Sequence, residues 1–282
     1  MRTHVKIFHV EKMAKTLQVS KSAYYASLYR KPSIRALENQ ALLDKIKQVH
    51  VKSRCIYGSP KIHAELKRVG TPCSRPRVAR LMRKASISSK IRKAWKKTTK
   101  LNKSAIAAPN HLQQNFKVDA PNKVWVSDIT YVATQEGWLY VSVSLDLFSR
   151  KVIGLGMDTS LHTPIVINTL EQAFKHRGEP EGLIHHSDKG CQYTSDDFKH
   201  LMHEKKVKLS MSGTGHCYDN AVAESFFHLL KTEHVNLCKF RTREEAKNSI
   251  FEYVEVFYNR KRIHAGLGYL SPVEYEIAWG NK

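Results

Sequence analysis

Apolar residues recur along the chain in two rhythms that divide it near Pro121. Beyond that point, short runs rich in Val, Ile, Leu and aromatic residues predict strands at Trp125–Val132, Trp138–Asp146 and Lys151–Met157. Gly137 and the polar Phe148-Ser149-Arg150 turn separate them, so the three should form an antiparallel meander. The pattern then alternates: a helix over Pro164–His176, an apolar strand over Gly182–His186, a helix over Asp196–Lys205 and a strand over Val207–Met211. A last helix, which Asn220 can cap, runs through Lys231, with Val222, Phe226, Leu229 and Leu230 as its apolar stripe. Such alternation predicts a mixed α/β layer.

Upstream, the rhythm is helical. Glu11–Leu17, a Gln18-Val19 turn and a helix capped by Ser20 over Lys21–Ser27 read as one helix-turn-helix unit. Pro60 opens a second pair that runs to Arg68, breaks at Gly70-Thr71-Pro72 and resumes behind Ser74 to about Ala85. On that last helix Val78, Leu81, Met82 and Ala85 form the buried stripe, while Arg77, Arg80 and Lys84 fall on another face. The boundaries that follow are 1–55 for an N-terminal helical region, 56–103 for a basic helix-turn-helix and tracking segment, 104–117 for a linker, and 118–282 for the α/β unit with a helical tail.

Charge sharpens this division. The chain has 282 residues and a formal net charge of +22. Residues 1–120 hold 28 Lys/Arg against 5 Asp/Glu, whereas the rest is close to neutral. No acid interrupts the stretch between Glu65 and Asp119, which carries 15 basic residues. A polyanion is therefore the expected partner, and double-stranded DNA fits a basic helix lying along a groove. The DNA-contacting candidates are Arg75, Arg77, Arg80, Arg83 and Lys84 on the helix, then Arg92, Lys93, Trp95, Lys96 and Lys97 in the tracking segment. No apolar run approaches the ~18–20 residues of a membrane span, and the first ten residues lack a signal-peptide core. Five scattered cysteines without a C-x-x-C pair argue against a disulfide framework or a zinc knuckle. These features read as a soluble cytoplasmic protein associated with the nucleoid.

Within the α/β unit, three acids sit on separate elements: Asp128 inside the first strand, Asp188 just after the strand ending at His186, and Glu224 on the last helix. A carboxylate within an apolar strand is costly unless a cation meets it. Phosphodiester chemistry asks for two or three such hard-oxygen ligands holding a pair of Mg²⁺ ions. Lys231 shares a helix face with Glu224 and His228, so it can reach a substrate phosphate. Asp146 and Asp158 read as turn or pairing residues, Asp219 as a cap, and His185 and His186 as packed residues supporting the site; Asn220 is a further supporting residue.

The segments Trp125–Tyr131, H-H-S-D-K-G-C-Q-Y at 185–193 and C-Y-D-N-A-V-A-E-S-F-F-H-L-L-K-T-E at 217–233 resemble transposases of the insertion-sequence-three family, specifically its second-frame product. Thirty-five residues separate Asp188 from Glu224, Lys231 follows seven residues later, and the tail at 258–275 also matches the family pattern. The resemblance implies a ribonuclease H-like fold shared with retroviral integrases. It also implies divalent metal at Asp128, Asp188 and Glu224, two Mg²⁺ ions with Mn²⁺ able to substitute. The implied activity is cleavage that exposes a 3′-OH, then transesterification into another DNA strand. Implied partners are the element's terminal repeats, target DNA, further copies of the chain, and an upstream-frame product joined by frameshifting. Cys191 and His216 depart from the family's usual Ser and Asn.

Two other functions share parts of this pattern. A ribonuclease H would have the same fold, but the basic helical units argue for DNA ends. A decayed, non-catalytic DNA-binding regulator would not need all three carboxylates. A retroviral integrase would carry an N-terminal His-His-Cys-Cys module, which the sequence lacks.

Overall fold

A computed structural model describes residues 1–90, 118–212 and 220–281. Five helices come first: α1 (Val10–Thr16), α2 (Lys21–Tyr29), α3 (Ile34–Lys52), α4 (Ser59–Arg68) and α5 (Arg75–Lys84). Ser20 and Ser74 cap α2 and α5 through their side chains, as the sequence predicts, by accepting from the Ala23 and Arg77 N–H groups. The sequence reading did not single out α3. Only Leu42 and Ile46 are fully buried along it, so its apolar stripe is too thin to stand out among the charges. Nonetheless α3, α4 and α5 share one core built from Leu42, Ile46, Ile62, Leu66, Val78, Leu81 and Met82.

A five-stranded sheet follows, made of β1 (Val124–Thr134), β2 (Gly137–Asp146), β3 (Val152–Asp158), β4 (Ile184–Ser187) and β5 (Lys208–Met211) in the order β3-β2-β1-β4-β5. The first three strands form the predicted antiparallel meander, and β4 and β5 add in parallel beside β1. Alternation along β1 sends Val124, Val126 and Val132 to one face and Trp125 to the other. Helix α6 (Thr163–Arg177), the short α7 (Cys191–Thr194) and α8 (Asp196–Glu204) belong to the Trp125 side, where Ile165, Leu170, Phe174, Phe198 and Met202 are buried. A Cβ at Gly154 would collide with the Thr169 carbonyl, so glycine is what lets α6 lie flat on β3.

The opposite face takes α9 (Ala221–Glu233) and α10 (Arg243–Phe251), which runs into a π-helical segment over Glu252–Tyr258; α11 (Pro272–Gly280) ends the chain. The observed stripe of α9 is Ala223, Phe226, Phe227 and Leu230. Val222 and Leu229, expected in that stripe, are only half-buried. They line a cleft of about 650 Å³ that reaches Lys61 of α4 and Leu267.

The helical unit packs on this face as well. The Tyr57 hydroxyl accepts from the Ile263 N–H at 2.8 Å, and Arg54 and Arg68 pair with Glu252 and Glu274. Among the described residues no helix is long and apolar enough to cross a membrane.

Candidate active site and its carboxylates

The parallel pairing of β1 with β4 aligns Val126 with His186. Asp128, midway along β1, and Asp188, just past the end of β4, each lie two residues beyond that pair, where β4 stops pairing with β1 and the sheet changes from antiparallel to parallel. Open α/β sheets bind ligands at such a switch in topology. Helix α9 is tied to the same place. The Asn220 side chain donates to the Ser127 carbonyl at 3.0 Å, one residue before Asp128, and Glu224 follows one turn later. This corrects the capping role expected of Asn220: its side chain makes no cap hydrogen bond and instead fastens the helix start to β1.

The three acids feel one another. Burial, then the charge of Asp188 and more weakly that of Glu224, pushes the Asp128 carboxyl up to about 7, against the opposing Ile129 N–H and Lys231 charge. The Asp188 carboxyl is raised by the protein packed around it and partly held back by the Gly190 N–H, which donates to its Oδ1 at 2.9 Å. Glu224 is raised by partial burial and by Asp188. Lys231 is half-buried, so desolvation lowers its ammonium while the Asp128 charge raises it. Its Nζ lies 5.0 Å from the centre of the Tyr131 ring. Glu224, His228 and Lys231 stay off the buried stripe of α9, as the helical spacing predicts.

Among the described residues no three His, Cys, Asp or Glu side chains stand close enough to hold one ion in common. The Asp128 Oδ1 accepts from the Ile129 N–H at 2.8 Å, and the Asp188 Oδ1 from Gly190. The donor set is nevertheless all hard oxygen, mutually repelling and partly desolvated, which suits a divalent cation.

Beside these carboxylates His185 and His186 are packing residues. His185 contacts the Ser127 hydroxyl at 2.8 Å, and burial with His186 beside it lowers its imidazole to about 3. His186 lies between the hydroxyls of Ser210 and Ser212. Asp146 accepts from the N–H groups of Asn122 and Phe148, and Asp158 from Thr159, which are turn-forming roles.

On α5, Arg75, Arg80, Arg83 and Lys84 are exposed. Arg77, expected on the outward face with Arg80 and Lys84, instead turns back onto α3, where it meets Asn39 at 2.9 Å and Glu38 at 3.2 Å. Arg92, Lys93, Trp95, Lys96 and Lys97 lie outside the described residues, as do Asp219, Cys217 and His216.

The sequence reading missed what the C-terminal motif does. Asn259 pairs with Val152 of β3 like an added peptide group, accepting from its N–H at 3.0 Å and donating to its carbonyl at 2.9 Å. Arg262 forms a buried fork with Glu233 at the end of α9, and Tyr253 donates to the same carboxylate. Among the consecutive polar residues Asn259, Arg260, Lys261 and Arg262, the sequence does not mark which two turn inward.

Comparison with known proteins finds relatives along most of the chain. The integrase core domain family matches residues 118–217 and a second integrase core family matches 224–278, while an HTH-like domain family matches 37–95. The chain is 39% identical over 263 residues to an uncharacterized 31 kDa protein of insertion element IS600 from Shigella sonnei, covering 93% of this chain and 97% of the relative. It is 38% identical to the transposase for insertion sequence element IS904 of Lactococcus lactis, covering 88% and 98%. With the transposase InsF for insertion sequence IS3A of Escherichia coli K12 it shares 34% identity, covering 97% and 96%. Among solved structures, the magnesium-bound catalytic core of HTLV-2 integrase aligns with a TM-score of 0.44 at 18% identity, covering 56% of this chain and 97% of that one. The chain thus belongs to the IS3 family of insertion-sequence transposases, DNA transposases of the DDE type in which an HTH-like helical unit precedes an integrase core of ribonuclease H-like fold.

Proposed function

We propose that Asp128, Asp188 and Glu224 are the catalytic carboxylates and that together they bind two Mg²⁺ ions, for which Mn²⁺ can substitute. The observation that carries this reading is their convergence. The β1–β4 pairing ends two residues before each aspartate, and Asn220 anchors the helix bearing the glutamate one residue from Asp128. When bound, the ions would activate the attacking oxygen and stabilise the leaving one.

The residues of the chain then have distinct tasks. Asp128 and Asp188 rotate away from the Ile129 and Gly190 N–H groups to present their free oxygens, and Glu224 closes the site from α9. Lys231 holds a phosphate of the bound strand beside them. In the first step water attacks a phosphodiester at the element end, the bond to the 3′ oxygen breaks, and that oxygen leaves with a proton as a 3′-OH. In the second, this 3′-OH attacks a target phosphodiester and loses its proton to solvent, while the bond to the target's own 3′ oxygen breaks and that oxygen takes up a proton and leaves as a 3′-OH.

Substrates in this reading are the element's terminal repeats and target DNA, gripped by Arg75, Arg80, Arg83 and Lys84. Arg77 sets the angle of α5 through its contacts on α3, and Arg92, Lys93, Trp95, Lys96 and Lys97 extend the grip. The working form is an assembly of several copies on DNA, with the upstream-frame product as a separate partner or a frameshift fusion. Exposed apolar side chains near the N-terminus support a partner: only Ala14 is buried in α1 and α2, while Ile7 and Phe8 before α1, Tyr29 at the end of α2 and Ile34 at the start of α3 are 70%, 56%, 83% and 79% exposed.

Asp128→Asn, Asp188→Asn and Glu224→Gln test the assignment. Each should abolish strand cleavage and joining on element-end DNA in Mg²⁺ while end binding persists. Retained cleavage in any one of them removes that residue from the set.

A further inference from the structure

Tyr131 and Trp138 stand together on the β1–β2 hairpin, and each remains about half in water, at 56% and 50% exposure. Their ring centres are 4.9 Å apart with planes at 80°. The register sets Tyr131 opposite Tyr140 and Trp138 opposite Ala133, so the two are diagonal neighbours across the strands. Diagonal pairing accounts for their contact. It does not account for two large rings left on the surface, where smaller β-branched residues would pair as well.

Two cations flank the pair. Lys231 stands over the Tyr131 ring, and the Arg243 Nε donates to the Trp138 carbonyl at 3.0 Å. The Arg243 guanidinium also packs against Gly137, where a Cβ would lie 2.9 Å from its nitrogen. Tyr131 is three residues beyond Asp128 on the same strand, about 10 Å at the usual rise and on the alternate face; Lys231, which feels the Asp128 charge and stands over the Tyr131 ring, links the two places. That distance corresponds to roughly three stacked nucleotides. Exposed aromatic rings between cations, beside a phosphodiester-cutting site, have the chemistry of a platform for unpaired bases, since every base offers a π-face.

We propose that the Tyr131–Trp138 pair stacks one unpaired nucleobase of the DNA strand entering the carboxylate site, with Lys231 and Arg243 taking the phosphates on either side of it. The inference rests on the carboxylate assignment above and adds a positioning element to it. A strand held this way is frayed close to the scissile phosphate, so ends that are already unpaired bind more tightly than fully paired ones.

Photocrosslinking on the full chain tests this. The Glu224→Gln protein is bound to element-end duplexes with a short single-stranded tip, 5-iodouracil replaces each tip base in turn, and the linked peptide is read by mass spectrometry. The expected product is a link to Tyr131 or Trp138 from one tip position. Tyr131→Leu and Trp138→Leu should abolish it and reduce the preference for frayed over paired ends about 5- to 100-fold, whereas Tyr131→Phe and Trp138→Phe should retain both. Links only to other residues overturn the proposal. So does an unchanged preference for frayed ends in Leu variants that melt like the parent, the result expected if the rings serve the hairpin alone or dock another protein. The crosslink map requires no platform variant, so a misfolded Leu variant still leaves a decisive readout. Cleaved DNA in the Glu224→Gln background would count against the carboxylate assignment and leave the map legible.

Discussion

Arg262 offers a sharp perturbation because its partner is buried with it. The side chains of Arg262 and Glu233 are 4% and 0% exposed, and two bonds join them, Nε to Oε2 at 2.7 Å and Nη2 to Oε1 at 2.6 Å. Burial by itself would lower the guanidinium, yet the hydrogen bond and charge of Glu233 more than compensate and hold it above its ordinary value. Arg262→Met leaves the Glu233 carboxylate buried with the Tyr253 hydroxyl as its remaining donor at 2.8 Å. Stranding one member of a buried pair costs about 3–5 kcal/mol. At about 2–4 °C per kcal/mol, the melting temperature of the full chain should fall by roughly 6–20 °C. The double change Glu233→Met with Arg262→Met removes both charges, so it should recover all but the ~1–3 kcal/mol of an unpaired Tyr253 hydroxyl. Urea unfolding of the four proteins in the cycle measures the coupling. Because α9 carries Lys231 and Glu224 upstream of the fork, single-turnover cleavage should also slow in Arg262→Met. A loss below about 1 kcal/mol, or single losses that simply add in the double variant, would refute the reasoning.

Lys231→Ala should slow cleavage and weaken end binding by about 10- to 100-fold if the ammonium holds a phosphate, with Lys231→Arg restoring most of it; parent-like rates for both would make it a solvated helix residue. Replacing Arg75, Arg80 and Arg83 with Ala in the full chain should flatten the salt dependence of end binding by about 0.9 in log–log slope per lost phosphate contact, and an unchanged slope would exclude this face of α5. Glu276 meets Arg177, Ser149 and Lys151; burial raises its carboxyl, but the Arg177 and Ser149 hydrogen bonds and the two cationic charges outweigh burial and hold it below its ordinary 4.5. A depressed carboxyl adds stability above its unfolded value and loses it on acidification, so the stability lead of the parent over Glu276→Gln should be constant near pH 7 and shrink as pH falls below about 4.5. A lead that stays flat in acid would contradict the cluster.

Elements with a strong period were legible in the sequence. The alternation of Val124, Trp125 and Val126 sends side chains to two different cores, and period two is what a strand between two helical layers requires. Ser20 and Ser74 were legible because a cap is a local bond, spanning three residues in each case. Helix α3 was not, because its fully buried residues, Leu42 and Ile46, are too few to define a face. The surroundings of Arg77 are hidden for a related reason: helical spacing fixes its azimuth on α5 but not the presence of Glu38 and Asn39 on α3.

Polar residues within apolar segments set a harder problem, since sequence marks each as costly without saying what meets it. Asp146 and Asp128 pose it side by side, each on a strand of the same antiparallel pair. Asp146 is fully buried, and both its oxygens accept backbone N–H groups, from Phe148 at 2.9 Å and Asn122 at 2.7 Å. Its carboxylate is satisfied by the fold and closes a turn. Among the described residues Asp128 accepts only from the N–H of the next residue, and that bond and the Lys231 charge do not outweigh its burial and the repulsion of Asp188 and Glu224. Asn220 and Asn259 are alike in another respect: each donates its amide N–H to a backbone carbonyl far away in the chain, 93 and 107 residues off, which no local pattern encodes. Counting donors around each buried oxygen therefore separates residues the fold consumes from those it leaves with lone pairs to offer. By that count Asp128, with one oxygen free and two neighbouring carboxylates, is the aspartate of this pair that retains capacity for an incoming cation.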